Sequence, residues 1–263
     1  MDLVEARERG VDDAARHPWE IARLDVLEKL LSRHVTLAPD SLVVDVGCGD
    51  TFVVEQLAAE HPRVSFYAID TAFTDELIVH ARAHSYPNVR YFKSLDAIVP
   101  TFEQPVSLVL LMDVIEHIED EKAFLADLVA RPYIGRDTRF VITVPAYQSL
   151  FCSHDTFLGH YRRYSSALLR TRLEGAGLMV IDTGRFFFSL VPARVLQVLK
   201  ERLVGVKPER ATTGVVAWSG GRARTTILTQ MLALDATLGF VLKRIGVDLA
   251  GLSNYAICQK SAW

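Results

Sequence analysis

The segment SLVVDVGCGD, residues 41–50, decides the fold. SLVVDVGC is a continuous apolar run of strand length, the pattern of a strand buried on both faces in a parallel sheet. Gly47 and Gly49 then open a turn, where glycine tolerates backbone angles closed to other residues and lets a ligand approach the chain. Upstream, Pro39-Asp40 breaks the chain after a helical stretch, 19–34, in which Ile21, Leu24, Leu27, Leu30 and Leu31 recur at helical spacing. Downstream, the pattern predicts helices over 52–60, 74–84, 120–130 and 166–176, the last with Ser165 or Ser166 as N-cap and Gly177 near the C-cap. Strands are expected over 64–70, 89–95, 106–113, 139–146, 179–188 and 254–260. Strands alternating with helices imply an α/β fold, a parallel sheet with helices on both faces. Ligands of such sheets sit at the carboxyl ends of the strands, so function is expected just after residues 48, 70, 95, 113 and 146.

The chain has 263 residues, 50% hydrophobic and 23% charged, enough to bury a large core without disulfide or metal. Twenty-nine Lys and Arg against 32 Asp and Glu give a net charge of −3, which argues against a protein that coats nucleic acid. Cys48, Cys152 and Cys258 lie far apart and form no CxxC, so neither a disulfide framework nor a zinc knuckle is expected. The opening MDLVEARERG is charged where a secretory signal is apolar. No apolar run reaches the ~18 residues of a membrane span. These features lead to the expectation of a cytoplasmic protein.

The dinucleotide pattern GxGxxG needs a third small residue, and Phe52 stands there, so NAD or FAD fits poorly. Asp70 ends the second strand 21 residues after Gly49, where a carboxylate can accept both ribose hydroxyls. Asp45 would repel a pyrophosphate and attract an ammonium group. Together they favour an adenosyl cofactor without phosphates.

VVDVGCGD, YAID, SLDAI and LLMDVIEHIED resemble, in order and spacing, the successive motifs of class I S-adenosylmethionine-dependent methyltransferases, over residues 40–190. The resemblance implies a Rossmann-like seven-stranded sheet of order 3-2-1-4-5-7-6 with strand 7 antiparallel, and S-adenosylmethionine as cofactor. It implies Gly47 and Gly49 against the methionine part, Asp45 near its amino group and Asp70 on the ribose. Asp96, with the backbone of Leu95 and Ala97, would meet the adenine edge, and Met112 and Asp113 would line the other side. Asp96 also reads as a plain N-cap, and Met112 as a packing residue. Thr51 stands where the family often has Gly or Ala; its hydroxyl is expected to cap the following helix.

Asp113, Glu116 and His117 cluster at the expected mouth of the site. Some O-methyltransferases, of ubiquinone synthesis and of small RNAs, bind a divalent ion through a similar acid-x-x-Glu-His, and His154 or His160 could complete such a set. The favoured reading has no metal: a helix start whose acids suit the dipole. VPAYQSLFCSHDTFLGHYRRYS, 144–165, resembles a bacterial methyltransferase subgroup with a similar VPA…HD…GH.RRY stretch and lies where an acceptor would bind. His154 and Asp155 suggest a base and its orienting acid, and Arg162 and Arg163 an anion grip. The same residues also read as a loop tied by its own hydrogen bonds. His154 or His117 is the expected base, with His160 holding the loop. Trp19, after His17-Pro18, reads either as a lid over the cofactor or as core.

One methyltransferase domain is expected over 1–263, with an N-terminal helical cap, 1–38, and a helical insertion, 190–250. Within the insertion, 186–207 and 222–245 are amphipathic. They suit packing on the sheet edge or on a second subunit; alternatively, 186–206 would touch a membrane or take a lipid-linked acceptor. The sequence does not set the oligomeric state. The expected activity is S-adenosylmethionine-dependent methyl transfer to a small-molecule or glycan acceptor, with O-methylation favoured by the histidines. Nucleic acid is not expected, since no Asn/Asp-Pro-Pro-Tyr motif follows the fourth strand. The competing readings are metal-assisted O-methylation through Asp113, Glu116 and His117, a nicotinamide oxidoreductase, and a non-catalytic S-adenosylmethionine-binding protein.

Overall fold

Leu42–Val46 forms β1, buried along its whole length between parallel neighbours β2 (Ser65–Ile69) and β4 (Leu108–Met112). The computed structural model describes residues 16–101, 105–205, 218 and 220–261. Alternation along the strands sends Val44, Val109 and Leu111 to one core and Val43, Leu108 and Leu110 to the other, so the sheet is covered on both faces.

The helices of one layer are α1 (Pro18–His34) and α2 (Phe52–Glu60). α3 (Asp75–His84) leads to β3 (Val89–Phe92) at the sheet edge. α4 (Glu121–Ala130) covers the other face with α6 (Ser166–Gly175), through Leu125, Leu128, Leu169 and Leu173. Ser165 is the N-cap of α6, accepting from the Leu168 amide at 3.1 Å. After β5 (Arg139–Pro145), β6 (Leu178–Phe186) and β7 (Ser253–Lys260) complete the order β3-β2-β1-β4-β5-β7-β6, with β7 antiparallel to both neighbours. The expected fold class is therefore the observed one.

The differences are local. β3 stops at Phe92, because the chain tightens into a 3₁₀ segment, Leu95–Thr101. The stretch after β5 holds a 3₁₀ turn, Gln148–Leu150, and a short helix, α5 (Ser153–Phe157), where no regular structure was expected. The expected insertion contains α7 (Val191–Val204) and α8 (Arg222–Arg244); residues 206–217 lie outside the described residues, as do 1–15 of the expected cap. α8 buries Leu232, Ala236 and Phe240, one helical stripe, and packs on α1 and β6. Thr51 does not cap α2. It sits at φ 66°, the left-handed region that favours glycine, and its hydroxyl bonds Glu55 Oε1 at 2.8 Å.

Candidate active site

The carboxyl ends of β1, β2, β4 and β5 open into one cavity of about 1540 Å³. Ligand pockets usually run from about 300 to 1,000 Å³, so there is room for a cofactor and a second molecule. Asp45, Gly47, Gly49, Asp70, Asp96, Met112, Asp113, His117, His154 and His160 all line it. The elements thus bring these ten residues to one space, with Arg163, while Asp155 and Arg162 do not line it.

The glycine turn is built by backbone bonds. The amides of Gly47 and Cys48 donate to Ile69 O at 2.7 and 3.1 Å, tying the turn to the end of β2. Gly47 has φ 69°, and a Cβ there would lie 2.8 Å from Val114 Cγ2, so the turn admits no side chain without movement. Asp70 accepts from the Gly49 amide on one oxygen and the Ala72 amide on the other, both at 2.9 Å. Its carboxylate is thereby fixed across the turn, with lone pairs remaining for a diol. Asp45 is buried, and desolvation pushes its pKa up to about 7, against the lowering effect of Arg23. A buried acid of this kind suits a cationic ligand.

Sequence reading missed Arg23. Its guanidinium bonds Asp113 Oδ2 at 2.5 Å and lies 4.7 Å from the Trp19 ring centroid. The signal was available: Arg23 precedes Leu27 by four residues, on the apolar stripe of α1, where an arginine needs a buried partner. Thr143 Oγ1 donates to the other Asp113 oxygen at 3.1 Å. Asp113 is held at φ 59° by these partners, and Met112 beside it is buried. Trp19 both lines the cavity and packs on the core, so its two readings describe one position. Asp96 lines the cavity too, but its carboxylate is ion-paired with Arg131 at the surface and caps no helix.

The histidine assignments change. Asp155 orients His160, not its neighbour His154: Asp155 Oδ1 lies 2.8 Å from His160 Nδ1 and 2.7 Å from Arg163 Nε. Burial would raise the Asp155 pKa, but His160, Arg163 and the Cys152 amide hold it below the ordinary carboxylate range. His154 is pushed down to about 4 by desolvation and by Arg194, which makes it a weak base. The His117 and His160 rings meet edge to face, with centroids 4.6 Å apart. The arginines grip the protein itself. Arg163 is buried on Asp155 and Ala146 O, and Arg162 bonds Ile118 O, Glu119 O and Glu121.

Glu116 is fully buried, and neither carboxylate oxygen has a hydrogen-bond partner among the described residues. Desolvation and the nearby Asp113 charge hold its pKa well above the ordinary value. Ligand atoms of Glu116, His117 and His160 lie within 4.8 Å of one another. The expected metal set named Asp113; the geometry groups His160 there instead, because Arg23 and Thr143 take the Asp113 carboxylate.

No protein-family model matches the chain. A curated relative from Mycolicibacterium smegmatis, named a probable S-adenosylmethionine-dependent methyltransferase, is 28% identical over 180 residues, 67% of this chain and 65% of its own. The chain thus matches somewhat under two thirds of that relative. Among solved structures, a protein named as the putative methyltransferase, in complex with the Haloferax volcanii Trm112 methyltransferase activator, aligns at TM-score 0.57 and 17% identity, covering 99% of this chain and 95% of its own. The mycolic acid cyclopropane synthase solved with SAH and CTAB aligns at TM-score 0.52 and 15% identity, covering 91% and 84%. The chain has the Rossmann-like fold of these enzymes.

Proposed function

We propose that the protein is an S-adenosylmethionine-dependent methyltransferase acting on a small-molecule or glycan acceptor, with a hydroxyl as the favoured methyl acceptor. The observation that carries the reading is the Asp70 carboxylate, fixed by the Gly49 and Ala72 amides across the glycine turn. The residues fit the cofactor: Gly47 and Gly49 leave space for its methionine part, Asp45 answers its ammonium, and Asp70 its ribose diol. The Mycolicibacterium relative's name and the SAH of the cyclopropane synthase support the same choice. Phe52, which begins α2 where a dinucleotide site wants a small residue, speaks against NAD.

Bound there, the cofactor supplies a methyl carbon activated by sulfonium. The protein's work is alignment and proton removal. Trp19 and Arg23 close the cavity on the α1 side. Asp155 fixes the His160 tautomer with the proton on Nδ1, which leaves Nε2 to accept a proton from the acceptor hydroxyl. His117, against the His160 ring, is the second candidate base. Labelled S-adenosylmethionine incubated with metabolite and glycan extracts tests the acceptor class. Label in small molecules or glycans supports it, and preferred transfer to nucleic acid overturns it. Titration with NAD tests the oxidoreductase alternative, and binding without any turnover across the extracts would favour a non-catalytic protein.

A second reading rests on Glu116. A buried carboxylate without a hydrogen-bond partner among the described residues, grouped with His117 and His160, matches the donor set of a divalent cation. Such an ion would orient the acceptor oxygen and lower its pKa. Loss of transfer in chelator, restored by one divalent metal, selects this reading; activity indifferent to chelator selects the histidine base.

A further inference from the structure

The two helices of the insertion carry apolar side chains on the outside of the fold. Leu196, Leu199 and Leu203 on α7, and Ile227, Met231 and Leu234 on α8, are all exposed, Leu203 at 83% and Leu234 at 69%. On each helix they recur at three- and four-residue spacing, a stripe like that of a buried face. The packing side of α8 is already used by Leu232, Ala236 and Phe240, so this is a second apolar face. α8 also has the length and mean hydropathy, 1.4, of a membrane-crossing helix, where the sequence led to the expectation of none, because its polar residues are spread along an apolar helix. Its packing on α1 and β6 sets it against the body of the fold instead.

Arg194, Arg202 and Lys243 bond Cys152, Ser149 O and Asp182, and the charges of these helices left facing solvent, Lys200, Arg222, Arg224 and Arg244, have one sign. α7 and α8 contain seven basic and two acidic residues, in a chain whose net charge is −3. Both acids turn to the protein: Glu201 accepts from the Ser153 amide and hydroxyl, and Asp235 from the Phe188 and Ser189 amides. Lys200, Arg222, Arg224 and Arg244 form no ion pair among the described residues. An apolar stripe flanked by cations is the pattern of a helix lying in the interface of an anionic bilayer. Two copies of this chain meeting through the face would bring like charges together.

The face is continuous with the site. Val204, Leu228 and Met231 are exposed and also line the cavity, as does Lys200. We propose that α7 and α8 seat the protein on an anionic lipid bilayer, and that the cavity takes its acceptor, an amphiphile, from that surface. The docking stands on the helices alone; the acceptor class rests on the methyltransferase reading.

The test uses the full chain with vesicles of phosphatidylcholine alone and of phosphatidylcholine mixed with phosphatidylglycerol. The expected result is co-sedimentation with the mixed vesicles, weakened by salt, and at least tenfold weaker binding for Leu203→Glu/Leu234→Glu and for Arg222→Glu/Arg224→Glu. Leu203 and Leu234 are exposed, Arg222 and Arg224 are exposed in the first turn of α8, and thermal melting checks that the variants fold. Equal binding by wild type and variants, or no binding to mixed vesicles, overturns the proposal. So does self-association, seen by sedimentation, that the leucine variant abolishes while vesicles stay unbound. S-adenosylmethionine titration of the same variants keeps the two readings apart. Intact cofactor binding with no vesicle binding rejects only the docking, and the reverse rejects only the cofactor assignment.

Discussion

Cofactor affinity should rise steeply with pH because of Asp45. Burial holds this carboxyl at a pKa of about 7 in the ligand-free protein. An ordinary aspartate sits near 3.9, and 1.36 kcal/mol per pH unit makes the difference roughly 4 kcal/mol. An ammonium group beside it would return the pKa to about 4 or below. Between pH 8 and pH 5 the ligand-free carboxyl becomes protonated while the bound one stays ionised. Affinity for S-adenosylmethionine should then fall about 100-fold, with close to one proton released per ligand near pH 5.5, following the linkage relation. Calorimetry in buffers of different ionisation enthalpy reads both quantities. The same shift has a stability side. A carboxyl with a raised folded-state pKa favours the protonated protein, so its destabilising effect grows as pH rises from about 4 to about 7 and is complete above that. Asp45→Asn should therefore flatten the binding profile and raise the thermal midpoint of the free protein at pH 8. An affinity unchanged from pH 8 to pH 5, or an Asp45→Asn profile as steep as wild type, would refute the ammonium assignment.

Three further outcomes follow from named contacts. Asp70→Ala removes two charge-assisted ribose bonds of roughly 1.5–3 kcal/mol each and should weaken S-adenosylmethionine binding by at least about 100-fold, as measured by titration. His160→Ala and Asp155→Asn should lower kcat by about 10²- to 10⁴-fold while cofactor Kd moves little, in single-turnover and binding assays. Thr51→Gly relieves a left-handed residue at the cost of the Glu55 bond, and denaturant titration should show a stabilisation of up to about 1 kcal/mol.

The sheet was legible because β4 is a continuous apolar run and β1 is one but for Asp45, with a glycine turn after it. The placement of Asp45, Gly47, Gly49 and Asp70 in one cavity was legible because they sit at strand ends, where position in the chain dictates position in space. The contacts around His154 and His160 were not. Whether Asp155 would orient His154 or His160 depends on how α5 coils, and adjacent side chains on a helix point apart while His160, five residues on, folds back. The fate of Arg162 and Arg163 turned on Glu121 and Asp155, partners 41 and 8 residues away. Thr51 misled because its residue type suits a cap, whereas the turn imposed a left-handed backbone. Arg23 and Asp113 meet across 90 residues, and only the apolar stripe around Arg23 announces the pairing.

A crystal structure with S-adenosylhomocysteine tests most directly whether the glycine turn and Asp70 cradle S-adenosylmethionine. The expected density runs along the Gly47–Gly49 turn, with both ribose hydroxyls on the Asp70 carboxylate and the amino group near Asp45. Ligand bound elsewhere in the cavity, or a ribose that leaves Asp70 untouched, would contradict it.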